Sequence, residues 1–229
     1  MDAMDPALTA ARWDAEYREG RYLQEPPIPF VEQILALLLD HRIMLPGIGL
    51  YIGCGNGRNY LPLVEAGARP YGLDLSFEAL RQLRARRPAT SPPLICADFR
   101  RFHSALRFDY LIALQVFQHG TAADVATYFA NVRDLLRPGG LFFLRVNSVS
   151  TQIGHAHVVI ERNNFGGLTV EYQAGPKHGL PVHFYAREEL LALTQEAFDI
   201  VSEPCEQVIV RTAPQTGFWA QWQAVWIRL

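Results

Sequence analysis

The chain has 229 residues, 49% of them hydrophobic, with a formal net charge of −2 and a pI of about 6.4. That apolar content suits one substantial core and one domain at the larger end of the usual size range. The near-balanced charge excludes the basic excess that marks nucleic-acid and membrane-surface proteins.

Residues 1–11 carry Asp2 and Asp5 and no basic-then-apolar leader. Asp5-Pro6 reads as an N-cap followed by proline at the first helical position, opening a helix to residue 20 with Trp13, Tyr17 and Arg18. After a proline-rich break at 24–29, a second helix over 30–41 places Val31, Ile34, Leu35 and Leu38 on one face. The longest apolar run, 34–39, is far too short to span a bilayer. Strand one is expected over 48–52, then a glycine-rich turn, then a helix to residue 66. Strand two covers 69–73 and ends in Asp74. Ser76 caps a helix in which Phe77, Leu80 and Leu83 recur at helical spacing. The basic run 81–87 alternates with the buried face of that helix and reads as solvated surface.

Strand three covers 93–97, ending before Asp98. Strand four, 108–114, is nearly continuously apolar, as a parallel strand covered on both faces requires. Thr121-Ala122-Ala123-Asp124 reads as a capping box before a helix to 136. Arg137-Pro138-Gly139-Gly140 is expected to stop that helix and turn into strand five, 141–146. Residues 147–185 form a long excursion. Two strand-like pieces, 157–161 and 168–173, flank the turn Asn163-Asn164-Phe165-Gly166-Gly167 and read as a hairpin folded over the sheet edge. A helix over 187–197 follows. Segments 198–201 and 207–211, with 218–229, read as a closing antiparallel pair. The alternation of strands and helices predicts an α/β fold with a mostly parallel sheet.

The three cysteines, Cys54, Cys96 and Cys205, lie far apart with no C-x-x-C pair. Neither a disulfide framework nor a zinc site is expected, and a reducing cytoplasm fits. His155, His157, His178 and His183 all fall in the excursion, but their spacing is irregular and no carboxylates accompany them at ligand spacing, so no metal is expected.

The segment Leu50-Tyr51-Ile52-Gly53-Cys54-Gly55-Asn56-Gly57-Arg58 carries the most chemistry. A glycine turn after the first strand, with an acid at the tip of the second, is how doubly wound proteins hold an adenosine ribose. Dinucleotide folds read G-x-G-x-x-G. Here Gly53, Gly55 and Gly57 give G-x-G-x-G, and Arg58 stands at the third dinucleotide position. With Cys54 and Asp74, this pattern resembles motif I of the class I S-adenosylmethionine-dependent methyltransferases. Tyr71-Gly72-Leu73-Asp74-Leu75-Ser76, Cys96-Ala97-Asp98-Phe99, Phe108-Asp109-Tyr110-Leu111-Ile112 and Leu135-Leu136-Arg137-Pro138-Gly139-Gly140-Leu141 resemble that family's later signatures. The opening Trp13-Asp14-Ala15-Glu16-Tyr17 resembles the N-terminal cap helix of its small-molecule members.

The resemblance implies a Rossmann-like, seven-stranded, mostly parallel sheet with an antiparallel C-terminal hairpin. It implies one domain, 1–229, with cap helices in 1–41 and a hairpin lid in 148–185. The cofactor implied is S-adenosylmethionine, leaving as S-adenosylhomocysteine. Gly53, Cys54, Gly55 and Gly57 would approach it, Asp74 with Leu75 would take the ribose, Asp98 and Phe99 the adenine, and Gln115 would sit near the methyl donor. Asp98 has a second reading, as the cap of the short helix that follows it. On the acceptor side His119 is the best-placed base, and Tyr17, Tyr22, Arg145, Asn147 and Tyr185 are candidates for the pocket lining. One departure stands out. The family's acid two residues before the first glycine is Tyr51 here. Its hydroxyl substitutes through a water-bridged contact, or the donor's amino group is held by a carbonyl.

The partner expected is a small-molecule acceptor, with no nucleic acid and no membrane. No Asn-Pro-Pro-Tyr-like segment follows strand four, where Leu114-Gln115-Val116-Phe117 stands, which argues against exocyclic amines of bases as acceptors. Cysteine scarcity argues against arsenite. A non-catalytic nucleoside-binding protein and an NAD-dependent oxidoreductase are the competing readings. The first is motivated by Tyr51, and the second is weakened by Arg58. A transferase using decarboxylated S-adenosylmethionine lacks the paired acids expected for a polyamine substrate.

Overall fold

The computed structural model describes residues 6–44, 47–175, 177–213 and 216–229. The expected cap at Asp5 lies outside the described residues. The elements run α1 Pro6–Arg18, α2 Phe30–Asp40, β1 Gly49–Ile52, α3 Tyr60–Glu65, β2 Pro70–Asp74, α4 Phe77–Arg86 and β3 Leu94–Cys96. After a 3-10 turn at Phe99–Arg101 come β4 Phe108–Leu114, α5 Ala122–Leu135, β5 Leu136–Asn147, β6 His157–Arg162, β7 Leu168–Tyr172 and β8 Pro181–Phe184. The chain closes with α6 Arg187–Thr194, β9 Phe198–Val210 and β10 Phe218–Arg228. One sheet has seven strands in the order β3-β2-β1-β4-β5-β10-β9; a second has three, β6-β7-β8. β2 pairs in parallel with both β1 and β3, and β10 runs antiparallel to β5 and β9. This is the α/β class expected from the sequence, with its antiparallel C-terminal hairpin.

The chain divides into two compact units. The first holds residues up to Ile112 together with Leu135–Gly140. Its core joins Leu50, Tyr51 and Ile52 of β1 to Ile34 and Leu38 of α2, Tyr60 and Leu63 of α3, and Leu83 of α4, all buried. Gly49 lacks a side chain for a reason: a Cβ there would stand 2.0 Å from the Tyr110 ring. The turn expected at 137–140 is instead the first part of β5, which begins at Leu136 directly after α5. Arg137 bridges Asp109 of β4 at 2.7 Å, and a Cβ on Gly140 would lie 2.9 Å from the Asp109 carbonyl. Gly139 keeps a left-handed backbone, φ +77, inside the strand.

The second unit is Ala113–Asp134 with Leu141–Leu229. Its core is a run of aromatic rings. Phe117 stacks on Tyr128 at 4.6 Å and Phe142 on Trp226 at 5.7 Å, with Phe129 edge-on to Phe142. The expected capping box forms: Thr121 N–H donates to Asp124 and Asp124 N–H to the Thr121 hydroxyl. The excursion differs from expectation. It has a third strand, β8, so β7 pairs on both sides and the hairpin becomes a sheet of its own. Val170, Val182 and Phe184 are buried in a small core with Val149, Ile153, Leu168 and Tyr172. The pieces expected at 198–201 and 207–211 are one continuous strand, β9. The irregularity Pro204 would impose is absorbed by register shifts near Val225 of β10.

Candidate functional site

In the first unit β1 runs into the glycine turn. The N–H groups of Gly53 and Cys54 both donate to the Leu73 carbonyl, at 2.7 and 3.1 Å. Gly55 N–H donates to Asp74 Oδ2 at 2.7 Å. The turn needs its glycines. Gly55 has φ +54, and a Cβ there would stand 2.6 Å from the Tyr17 hydroxyl; Gly57 has φ +100, and a Cβ there would stand 2.6 Å from Leu83 Cδ1. Gly57→Ala therefore combines backbone strain with overpacking. The expected loss is about 2–4 kcal/mol, read as a lowered denaturant midpoint with an unchanged m-value.

Asp74 is buried, and its second oxygen accepts from Ser76 N–H at 2.8 Å. Burial pushes its pKa up to about 6, against the opposing effect of the N–H groups of Ser76, Gly55 and Leu75. Cys54 is buried, which pushes its thiol pKa up. Cys96 lies beside Asp74 in the β2–β3 register, and its thiol donates to the Leu75 carbonyl. Asp98, two residues on, caps the 3-10 turn through Arg100 N–H and grips the Arg100 guanidinium at 2.6 Å. Partial burial raises the Asp98 pKa, and Arg100 outweighs it, leaving the carboxyl below its ordinary range. Phe99 is buried behind it. Tyr51 points into the core, edge-on to Tyr60 and hydrogen-bonded to Asn59.

The N-terminal segment is fastened onto this turn. Asp14 Oδ1 accepts from the Ser76 hydroxyl at 2.6 Å and Glu78 N–H at 3.0 Å. The Tyr17 carbonyl accepts from Gln82 and the Arg21 carbonyl from Asn56. Tyr17 is buried, and its pKa is raised by that burial and by Asp74. Tyr22, at φ +62, lies between the guanidinium groups of Arg21 and Arg58, 4.8 and 5.6 Å from its ring centre. Thus Gly53, Cys54, Gly55, Gly57, Asp74, Leu75, Tyr17 and Tyr22 gather at one place.

The second unit carries the other candidates. β4 ends in Gln115, a non-glycine residue held at φ +62, where backbone strain is tolerated only if the surroundings enforce it. They do. Gln115 N–H donates to the Arg145 carbonyl at 2.7 Å, and its side chain donates to Gln221 Oε1 at 3.1 Å. The same Gln221 oxygen accepts from Arg145 Nε at 2.9 Å, and Gln221 Nε2 donates to Asn147 Oδ1. Asn147 N–H donates to Gln118 Oε1 at 3.1 Å. Gln115, Arg145 and Asn147 are therefore one partly buried network, completed by the buried Gln118 and Gln221, which sequence spacing did not flag. His119 is half-buried; its N–H donates to the Val116 carbonyl and its carbonyl accepts from the Tyr128 hydroxyl. Tyr185 is the exception. It is fully buried and its hydroxyl donates to the Phe117 carbonyl, so it props the 115–120 loop from within the core rather than lining an open surface.

The histidines of the excursion separate. His157 Nδ1 meets the His155 carbonyl, and His155 lies edge-on to Tyr172. His183 is buried. Its Nε2 faces Glu189 at 2.9 Å and its Nδ1 meets the Thr169 hydroxyl at 2.9 Å. The same hydroxyl donates to Glu161, so Glu161, Thr169, His183 and Glu189 form one chain. Glu189 also accepts from Asn163, and Glu161 from Ala122 N–H. This chain ties β6, β7, β8, α5 and α6 together. His183 N–H donates to the Gln118 carbonyl, which joins it to the 115–120 loop.

Residues 50–144 match a family model described as a methyltransferase domain. A ubiquinone biosynthesis O-methyltransferase of Methylobacterium sp. (strain 4-46) is 36% identical over 98 residues, 40% of this chain and 37% of that protein. A tRNA N(3)-methylcytidine methyltransferase of Drosophila melanogaster is 24% identical over 200 residues, 81% of this chain and 60% of that protein. The chain thus matches less than two thirds of the length of either relative. Among solved structures, the 1,6-didemethyltoxoflavin-N1-methyltransferase of Burkholderia thailandensis, with 1,6-didemethyltoxoflavin and S-adenosylhomocysteine bound, superposes with a TM-score of 0.66. It is 20% identical, covers 100% of this chain and 92% of its own, and shows the shared fold. The glycine turn and the acid at the tip of β2 lie within the segment that matches the methyltransferase-domain model, and the fold is the one shared with the solved methyltransferase.

Proposed function

We propose that this chain transfers a methyl group from S-adenosylmethionine to a small-molecule acceptor by in-line displacement. The observation that carries the reading is the buried Asp74 carboxylate at the tip of β2, joined to the glycine turn through Gly55 N–H. The Asp74 carboxylate accepts from the N–H groups of Gly55, Ser76 and Leu75, fewer donors than its two oxygens can take, and burial leaves it under-solvated. Two ribose hydroxyls would supply the missing donors, so the residues fit the cofactor. Bound there, S-adenosylmethionine supplies a methyl group already activated on a sulfonium. The protein's part is to position and to exclude water.

Asp74 and Leu75 take the ribose, Asp98 and Phe99 flank the adenine, and the glycine turn approaches the nucleoside. Tyr17 and Tyr22 close the donor side. On the acceptor side Gln115, Arg145 and Asn147 orient the nucleophile. His119, whose backbone is pinned at both ends, is the residue placed to take a proton from an acceptor that must lose one. We read residues 1–229 as one functional domain. Its excursion, 148–185, whose β8 pairs with the 118–120 loop, serves as the lid that keeps water from the acceptor. The balanced charge supports a small molecule over RNA as acceptor. Three free thiols support residence in the cytoplasm, and among the described residues no helix is long and apolar enough to cross a membrane.

The test is thermal unfolding with S-adenosylmethionine, S-adenosylhomocysteine and NAD in parallel. A ligand at about a hundred times its Kd adds roughly 2.7 kcal/mol, which for a chain this long raises the midpoint by about 5–11 °C. A shift with both sulfur nucleosides and none with NAD is the expected result. A shift with NAD alone overturns the assignment. Release of S-adenosylhomocysteine with a methylated acceptor then separates an enzyme from a binding protein.

A further inference from the structure

The hydrogen bonds around Asp74 do not end at the glycine turn. Ser76 N–H donates to Asp74 Oδ1 at 2.8 Å, the Ser76 hydroxyl accepts from Ala79 N–H at 3.0 Å, and that same hydroxyl donates to Asp14 Oδ1 at 2.6 Å. Asp14 also accepts from Glu78 N–H. A serine hydroxyl has one proton. Because Asp14 takes it, the Ser76 oxygen is free to cap α4, and both Asp74 oxygens are left to N–H donors and to ligand hydroxyls.

We infer that Asp14, on α1, is a positioning residue for the ribose-binding carboxylate, acting through Ser76 and coupling closure of the N-terminal helix to occupancy of the donor site. The inference rests on the donor-site reading above. Coupling of this kind is reciprocal: whatever the bound donor adds to the docking of α1, docked α1 adds to donor affinity. An electrostatic consequence accompanies it. The titratable groups facing Asp74 are Asp14 and Tyr17 from α1, Tyr51 from β1, Cys54 from the turn and Cys96 from β3. Arg18 of α1 faces Asp14, and Arg21, just past the end of α1, faces Tyr17. Asp14 is a carboxylic acid, and its charge raises the Asp74 pKa.

The experiment is calorimetric titration of the full chain with S-adenosylhomocysteine from acid to neutral pH, for wild type, D14N, D14A and E16Q. Glu16 of α1 pairs with Arg21 of the turn that follows it and serves as the control for helix docking. Wild-type affinity is expected to fall as pH drops through about 6. D14N keeps an acceptor oxygen but loses the charge, so its midpoint moves to lower pH. D14A loses the acceptor as well and binds about 3- to 10-fold more weakly at neutral pH, while E16Q stays near wild type. Equal affinities and midpoints in all four proteins overturn the inference. So does an equal loss in D14A and E16Q with no change of midpoint, which reports helix docking alone.

Failure of wild type to bind S-adenosylhomocysteine would instead count against the donor site. Hydrogen exchange of the ligand-free chain then decides the positioning role. Faster exchange at Ser76, Glu78 and Ala79 in D14A supports it, and unchanged exchange refutes it.

Discussion

Asp74→Ala is expected to weaken S-adenosylhomocysteine binding by about a hundredfold, roughly 3 kcal/mol, because hydrogen bonds to a charged acceptor contribute about 1.5–3 kcal/mol each and two ribose hydroxyls lose theirs. The substitution also strips Gly55 N–H and Ser76 N–H of their acceptor, so the glycine turn loosens at the same time. Titration calorimetry measures the loss; an unchanged Kd would remove Asp74 from the donor site.

Protonation of Asp74 mimics the substitution, so wild-type affinity declines below about pH 6 and is flat above it. Ligand-free stability runs the opposite way. The folded pKa lies above the ordinary value of 3.8, so the stability linked to this group is full below that value and lost as pH rises through about 6. Melting curves with and without ligand should therefore converge as the solution is acidified. Divergence on acidification would place the titrating group elsewhere.

The second large effect is expected in the excursion. Glu189→Ala leaves His183 buried without its carboxylate, and Asn163 without its acceptor. Breaking one partner of such a buried pair costs about 3–5 kcal/mol, which lowers the melting midpoint by about 6–20 °C in a chain of this length. Replacing both partners by apolar residues of similar volume, His183→Phe with Glu189→Leu, should recover most of that loss, since neither member of the pair is then left buried without its partner. A double variant as unstable as the single would show that the pair is held for more than its mutual compensation. Gly167 constrains the same place: a Cβ there would lie 2.0 Å from Glu189 Oε2.

The donor half was readable because its signals are local. The glycine turn, the acid that ends β2, the Ser76 cap and the Thr121–Asp124 box each lie within a few residues, where spacing fixes geometry. Strand β4 was readable to the residue because a strand covered on both faces is apolar throughout. What escaped depends on long-range pairing. β8 begins at a proline and carries His183 in its middle, and it became a strand because Thr169 and Val170 of β7 accept it. Pro204 looked like a break, and the opposite strand absorbed it. Gly139 and Gly140 looked like a turn, and Gly139 does take a left-handed backbone, but within β5.

The networks Asp14–Ser76–Asp74 and Thr169–His183–Glu189 join residues whose separations match no helix or strand period, so no pattern in one sequence announces them. Tyr185, a candidate for the pocket lining, is buried, with its hydroxyl donating to one backbone carbonyl.

The placement of the tryptophans makes the two halves optically unequal. Of the four, Trp219, Trp222 and Trp226 all lie on β10, with Trp226 stacked on Phe142 and Trp222 donating to the Tyr185 carbonyl. Trp13 alone stands on α1, near the Arg21 guanidinium. Intrinsic fluorescence is therefore weighted to the C-terminal strand and will follow its melting. Events at the glycine turn reach the emission through one residue, and a chain keeping Trp13 as its only indole would be a built-in reporter of the donor side.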